Sequence, residues 1–147
     1  MKVAVVQHDI VWEDKAANFA RLAPQVAAAA SAGGRLVVLS ETFSTGFSMR
    51  NDLTAEPQGG PSSQFLVAQA ATHGVWVCGS CPERAEEGEP PFNTLVLAGP
   101  DGTVHQRSAV SDQTVLHDTV ERRAGTTLYT RWGLAPAVAV ALASLAL

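Results

Sequence analysis

Few side chains in this 147-residue chain are placed to do chemistry, and Glu41 stands first among them. It closes the run Arg35-Leu36-Val37-Val38-Leu39-Ser40-Glu41 and is followed by Thr42-Phe43-Ser44-Thr45-Gly46-Phe47-Ser48. A carboxylate delivered by a strand can move protons as a general base. The rings of Phe43 and Phe47 are expected to frame it, and apolar surroundings raise a carboxyl pKa toward the working range of such a base. The bland alternative is an exposed cap or a surface salt bridge. Cys78 and Cys81 form a C-x-x-C, which does redox work when it opens a helix whose dipole lowers a thiol pKa. Here Cys78 lies in the strand-like Val75-Trp76-Val77-Cys78, Pro82 follows Cys81, and no second pair completes a zinc site. Structural thiols, buried or half-buried, are the expectation. Glu83, Glu86, Glu87 and Glu89 crowd together but lack the alternating oxygen ligands and central Gly of a calcium loop. A solvated acidic loop is the expectation there.

The elements that must hold these residues follow from periodicity. Residues 3–6 are a short apolar run fit for a buried first strand. After Glu13 and Asp14, Phe19, Leu22, Val26 and Ala29 or Ala30 fall on one helical face. Gly33 or Gly34 supplies the cap, and Pro24 predicts a kink or a late start. The aliphatic run 36–39 then reads as a strand buried on both faces. Strand, helix and strand make a βαβ unit with Glu41 at the carboxyl edge of the sheet, where open α/β sheets place their crevices. Residues 50–60 read as a loop. Ser62 or Ser63 can cap a second helix using Phe65, Leu66, Ala68 and Ala70, ended by Gly74. Strands follow at 75–81 and 92–98, then a turn at Asp101-Gly102 and a return strand from Val104.

Composition narrows the class. The chain suits one domain with a proper core, with 46% apolar and 16% charged residues. A net charge of −4 with scattered basic residues gives no footprint for nucleic acid. The amino terminus lacks the apolar core of a signal peptide, so a cytoplasmic location is expected. The closing run 134–147 is apolar, yet shorter than a membrane span, Ala-dominated and interrupted by Pro136, so no membrane crossing is expected.

Leu39-Ser40-Glu41-Thr42-Phe43-Ser44-Thr45-Gly46-Phe47-Ser48, with the opening Lys2-Val3-Ala4-Val5-Val6-Gln7 and the later Asn93-Thr94-Leu95-Val96-Leu97, resembles the nitrilase superfamily of carbon–nitrogen hydrolases. Within it the match is to the omega-amidase-type branch. The resemblance implies an α/β fold, a four-layer α-β-β-α sandwich of which this chain is an incomplete, truncated single domain. It also implies no cofactor, a small amide of a dicarboxylic acid as substrate, and a homo-oligomer for the intact fold. Glu41 matches the Glu of the family's Glu–Lys–Cys triad.

The resemblance covers about residues 1–104, and residues 105–147 form a divergent or frame-altered tail. Only Lys2 and Lys15 are present, whereas the family's Lys belongs near Ala109. No Cys follows Cys81, and Leu134-Ala135-Pro136-Ala137-Val138-Ala139 stands where the nucleophile strand belongs. Neither G-x-S-x-G nor H-E-x-x-H offers a substitute. Residues 108–123, polar and without period, are expected to pack poorly. Three readings result: an amidase-type hydrolase inactive as this chain, a non-catalytic remnant or interaction subunit of the same fold, and a C-x-x-C redox protein.

Overall fold

The computed structural model describes residues 1–109 and, beyond them, Leu116 alone. Asp14 begins the first helix as an N-cap, its Oδ1 accepting the Ala17 N–H at 2.9 Å. The helix α1 runs Lys15–Ser31 and buries Asn18, Leu22 and Val26. It neither starts late nor breaks at Pro24. Pro24 is exposed, as is Ala20, whose carbonyl loses its partner and lies on the solvent side of the helix. At the other end Gly33, at φ +86°, donates to Ala30 O, and Gly34 donates to Ala29 O. That paired closure needs a left-handed residue, which glycine adopts without cost to a side chain.

Around α1 lie β1 (Val3–Val5) and β2 (Leu36–Val38), paired in parallel with Val3 opposite Leu36. β1 was expected to be buried and β2 to be buried on both faces, and neither is. Val37 is fully covered, whereas Leu36 and Val38 are half-buried and Val3 and Val5 are 50% and 77% exposed. Among the described residues, helices cover one face of the sheet only. An unbroken aliphatic run cannot say how many faces are covered.

Residues 50–60 carry more order than a loop. They hold a four-residue helix α2 (Asn51–Thr54) and a two-residue strand β3 (Glu56–Pro57). The helix α3 (Pro61–His73) follows, with Pro61 in its first turn and Gly74 closing it at φ +62°. Its N-cap is Gly60, not Ser62 or Ser63. Those serines lie inside the first turn and are buried, because two carboxylates from elsewhere in the chain claim them. Ser62 donates to Glu56 Oε1 at 2.8 Å and Ser63 to Glu83 Oε1 at 2.7 Å.

The sheet is completed by β4 (Trp76–Arg84), β5 (Phe92–Ala98) and β6 (Val104–Arg107). Its order is β1-β2-β4-β5-β6, with β3 pairing β4 alone. β4 is parallel to β2 and antiparallel to β5, so the sheet changes sense at β4. β4 also reaches past the expected end at Cys81 and takes Glu83 with it. Glu83 is fully buried and paired with Arg107 and Lys15 is paired with Glu56 at 3.0 Å, so Glu83 is no member of a solvated acidic loop. β6 joins the sheet over 104–107, and Ser108 continues the pairing by donating its N–H to Leu95 O. The core lies between the sheet and the two long helices: Leu22, Val26, Val37, Phe43, Leu66, Ala70, Val77, Cys81, Val96 and Ala98. The expectations for the rest of 110–123 and for the apolar run 134–147 fall outside the described residues.

No described helix is long and apolar enough to cross a membrane. Among the described residues no group of three His, Cys, Asp or Glu side chains is arranged to hold a metal ion.

Candidate functional site

Glu41 stands three residues past β2, at the carboxyl edge of the sheet, and is exposed. Its Oε1 accepts the amide N–H of Asn93 on β5 at 2.5 Å. The aromatic frame expected around it does not form. Phe43 is fully buried in the helix layer, with ring centroids 6.3 Å from Phe19 and 5.9 Å from Phe65. Phe47 is 70% exposed. A β-branched sheet neighbour would not admit Phe43. The position beneath it is Gly79, where a Cβ would meet Phe43 Cδ1 at 2.9 Å.

What holds the segment after Glu41 is a set of polar anchors from three directions. Thr42 takes φ +44°, a left-handed value that a β-branched residue adopts only under constraint. The constraint is visible: its N–H donates to Ser80 Oγ on β4 at 3.0 Å, and its carbonyl accepts from Thr45 and Gly46. Asn18, fully buried in α1, donates to Val11 O and Ser44 O and accepts from Val11 N. His8, buried beyond β1, donates from Nε2 to Phe43 O at 3.1 Å.

A further anchor is Glu13. Its N–H donates to Thr45 O, while its carboxylate receives Ser48 Oγ and the Arg50 guanidinium. The Arg50 hydrogen bond, helped by Ser48, holds the Glu13 carboxyl at about 2 against a usual 4.5. Trp12 beside it closes on Gly46, where a Cβ would meet the indole at 3.0 Å.

These anchors leave a cleft of about 200 Å³ between the 42–49 segment and the ends of β4 and β5. Thr42, Phe47, Met49, Pro82, Phe92 and Asn93 are among its walls, and Glu41 enters through Asn93. The surface is mostly apolar, with hydroxyl-bearing residues and two asparagines among its walls, of which Asn93 holds Glu41. A small, largely aliphatic molecule with one polar group facing Glu41 suits it.

The thiols stand apart from this cleft. Cys78 and Cys81 are three residues apart on β4 and so face opposite sides of the sheet. Both are free. Burial pushes the Cys78 thiol up, and burial with the Glu83 carboxylate nearby pushes Cys81 to about 12. Neither behaves as an activated nucleophile. Lys2 donates to Ala32 O and Lys15 pairs with Glu56, so both described ammonium side chains are engaged elsewhere.

Sequence reading brought out Glu41 and missed Asn93, Asn18, Glu13 and Ser80. Asn93 carried a usable signal: an amide in an otherwise alternating strand, on the face opposite Thr94 and Val96. The others act through partners 26 to 38 residues away, which no local pattern shows.

The sequence profile of the carbon–nitrogen hydrolases matches residues 2–138. Omega-amidase NIT2 of Danio rerio is 40% identical over 108 residues, 70% of this chain and 37% of that protein. A nitrilase of Pyrococcus abyssi is 29% identical over 111 residues, 71% of this chain and 41% of the relative. The chain therefore spans about two-fifths of the length of these curated relatives. Among solved structures, XC1258 of Xanthomonas campestris, a CN-hydrolase superfamily protein, is similar with a TM-score of 0.64 at 35% identity. That match covers 71% of this chain and 38% of the other. Nit3 of Saccharomyces cerevisiae, a nitrilase superfamily member, is similar at 28% identity and a TM-score of 0.64, over 74% and 43%.

Proposed function

This chain belongs to the carbon–nitrogen hydrolase family, and from that premise we propose that its cleft is the Glu end of an omega-amidase-like site for small amides of dicarboxylic acids. The observation that carries the reading is the position of Glu41: a carboxylate at the carboxyl edge of a sheet, fixed by Asn93 beside a small apolar cleft. In the family's chemistry a Cys attacks the amide carbon, Glu takes the thiol proton and passes it to the departing ammonia, and Lys offsets charge on the oxyanion. Here Glu41 fills the proton-transfer role, and the roles of nucleophile and oxyanion partner have no occupant among the described residues. Cys78 and Cys81 do not serve as the nucleophile, since burial raises both thiols, and neither Lys2 nor Lys15 is free to hold the oxyanion.

These 147 residues are therefore an inactive form of the site. A general base contributes about 10²–10⁴-fold only with a group to deprotonate, and loss of an oxyanion donor alone costs about 10²–10³-fold. We take the 1–104 and 105–147 division, the cytoplasmic location and oligomerisation of the intact fold as parts of the same reading, which involves neither nucleic acid nor a cofactor. The alternative, a non-catalytic interaction subunit, is favoured by the open apolar sheet face at Val3, Val5 and Leu95. The test is turnover of glutaramate by the purified chain beside Glu41→Gln. We expect both to match buffer. Activity in the native chain that vanishes in Glu41→Gln overturns the inactive reading and demands another nucleophile.

A further inference from the structure

We infer that Arg84 reads the second, anionic end of the ligand in the cleft beside Glu41, an inference that rests on the reading of that cleft as an amide site. Arg84 is the last residue of β4. Side chains on a strand alternate, so Ser80, Pro82 and Arg84 share one face. On that face Ser80 anchors Thr42, and Pro82 lines the cleft. Pro82 is registered with Asn93, the residue that holds Glu41. Arg84 thus stands one pleat repeat, roughly 6–7 Å along the strand, past the Glu41–Asn93 pair. One of its N–H groups, on Nη2, donates to the carbonyl of Asn51, itself a wall of the cleft, at 2.8 Å.

Among the described residues the rest of the guanidinium is unclaimed. Among the described residues Arg50 and Arg107 each face a carboxylate, and Arg84 faces none, although Glu86, Glu87 and Glu89 follow it closely in the chain. Its Nε is buried and has no acceptor. A desolvated charged donor without a partner is costly, and a carboxylate answers a guanidinium with two parallel hydrogen bonds. Glu41 and Arg84 adjoin the cleft through Asn93 and Asn51, and its apolar walls include Pro82, Pro91 and Phe92. The fitting ligand has a carboxamide at Glu41, a few methylenes along the apolar wall, and a carboxylate at Arg84.

Glutaramate, valeramide (the amide end alone) and glutarate (carboxylates alone) separate these contributions. Each is titrated into the isotope-labelled full chain while the backbone signals of Thr42, Asn93 and Arg84 are followed by NMR. Glutaramate should shift all three, and Arg84→Gln should weaken its binding about tenfold or more, leaving valeramide unchanged. Arg84→Lys, which keeps the charge without the fork, should recover part of the loss and guards against a merely misfolded Gln variant. If Arg84→Gln binds glutaramate as the native chain does, while valeramide still shifts Thr42 and Asn93, the role of Arg84 is overturned and the amide cleft stands. If glutarate responds to Arg84→Gln but valeramide leaves Thr42 and Asn93 unmoved, Arg84 keeps its anion site and the amide reading falls. Silence from all three probes overturns both.

Discussion

The two faces of the sheet are built from similar residues and serve opposite purposes. Toward the helices, Val37, Val77, Cys81, Val96 and Ala98 are fully covered, and two buried serines are matched to carboxylates, Ser62 to Glu56 and Ser63 to Glu83. On the other face Val3, Val5 and Leu95 are 50%, 77% and 43% exposed, and there Glu41 meets Asn93 while Arg84 faces no carboxylate among the described residues. The core lies on the first face, and the proposed amide site on the second. The lesson is that β4, which alternates strictly between them, does both jobs with neighbouring residues: Cys81 and Glu83 lie in the core, while Pro82 lines the cleft and Ser80 and Arg84 hold its walls Thr42 and Asn51.

The contrast breaks most sharply at Phe43 and Val5. Truncating a fully buried aromatic removes its contacts and leaves a cavity, so Phe43→Ala should cost about 3–5 kcal/mol. Val5→Ala should cost about 0.5 kcal/mol or less, as for other exposed sites. Urea unfolding monitored by circular dichroism measures both, and equal losses would show that the two faces are not different in kind.

A kinetic probe sharpens the same contrast. Cys78 lies on the open face and Cys81 in the core, the latter held at about 12 by burial and the Glu83 carboxylate. Because the thiolate is the reacting species, a thiol reagent at mild alkaline pH should label Cys78 at least about 100-fold faster than Cys81. The two rates should converge in denaturant. Comparable rates in the native chain would place both thiols in one environment.

The mildest effect concerns acid. The Glu13 carboxyl is held at about 2 in the folded chain against 4.5 ordinarily. A depressed carboxyl contributes stability that is present above pH 4.5 and lost as pH falls toward 2. Glu13 is a surface clamp, so loosening should be local to residues 42–50 and the core should persist. Hydrogen exchange at Thr45, whose carbonyl takes the Glu13 N–H, and at its neighbours should quicken in that window, while Val37 and Val77 stay protected. A flat exchange profile between pH 4.5 and 2 would remove Glu13 from this role.

How much of this was legible beforehand divides along the same line. The helix face of α1, the left-handed close at Gly74, the strand at 92–98 and the Asp101-Gly102 turn follow from local period and turn chemistry, and all appear. The coverage of β1 and β2 did not follow, because Leu36 to Leu39 are aliphatic on both sides and only the layers around them decide which side is wet. Ser62 and Ser63 looked like caps because a cap is a local event. Their real partners, Glu56 and Glu83, arrive through β3 and β4. Glu41 was legible as a position and not as an environment: the sequence places rings beside it in the chain, and folding sends Phe43 inward and Phe47 outward.

The sheet changes from parallel to antiparallel pairing at β4, and Glu41 and Asn93 sit on opposite sides of that seam. Glu41 follows a strand on the parallel side, fixed by crossover helices. Asn93 belongs to a hairpin whose alignment depends on Pro82 facing it and not a neighbour. A slip of one residue in that hairpin would turn Thr94 toward Glu41 and send the Asn93 amide into the helix layer among Val96 and Ala98. Pairing register is thus part of the chemistry of this chain: the residues that count out the β4–β5 ladder, far from any reacting atom, decide whether the carboxylate meets an amide or a methyl group.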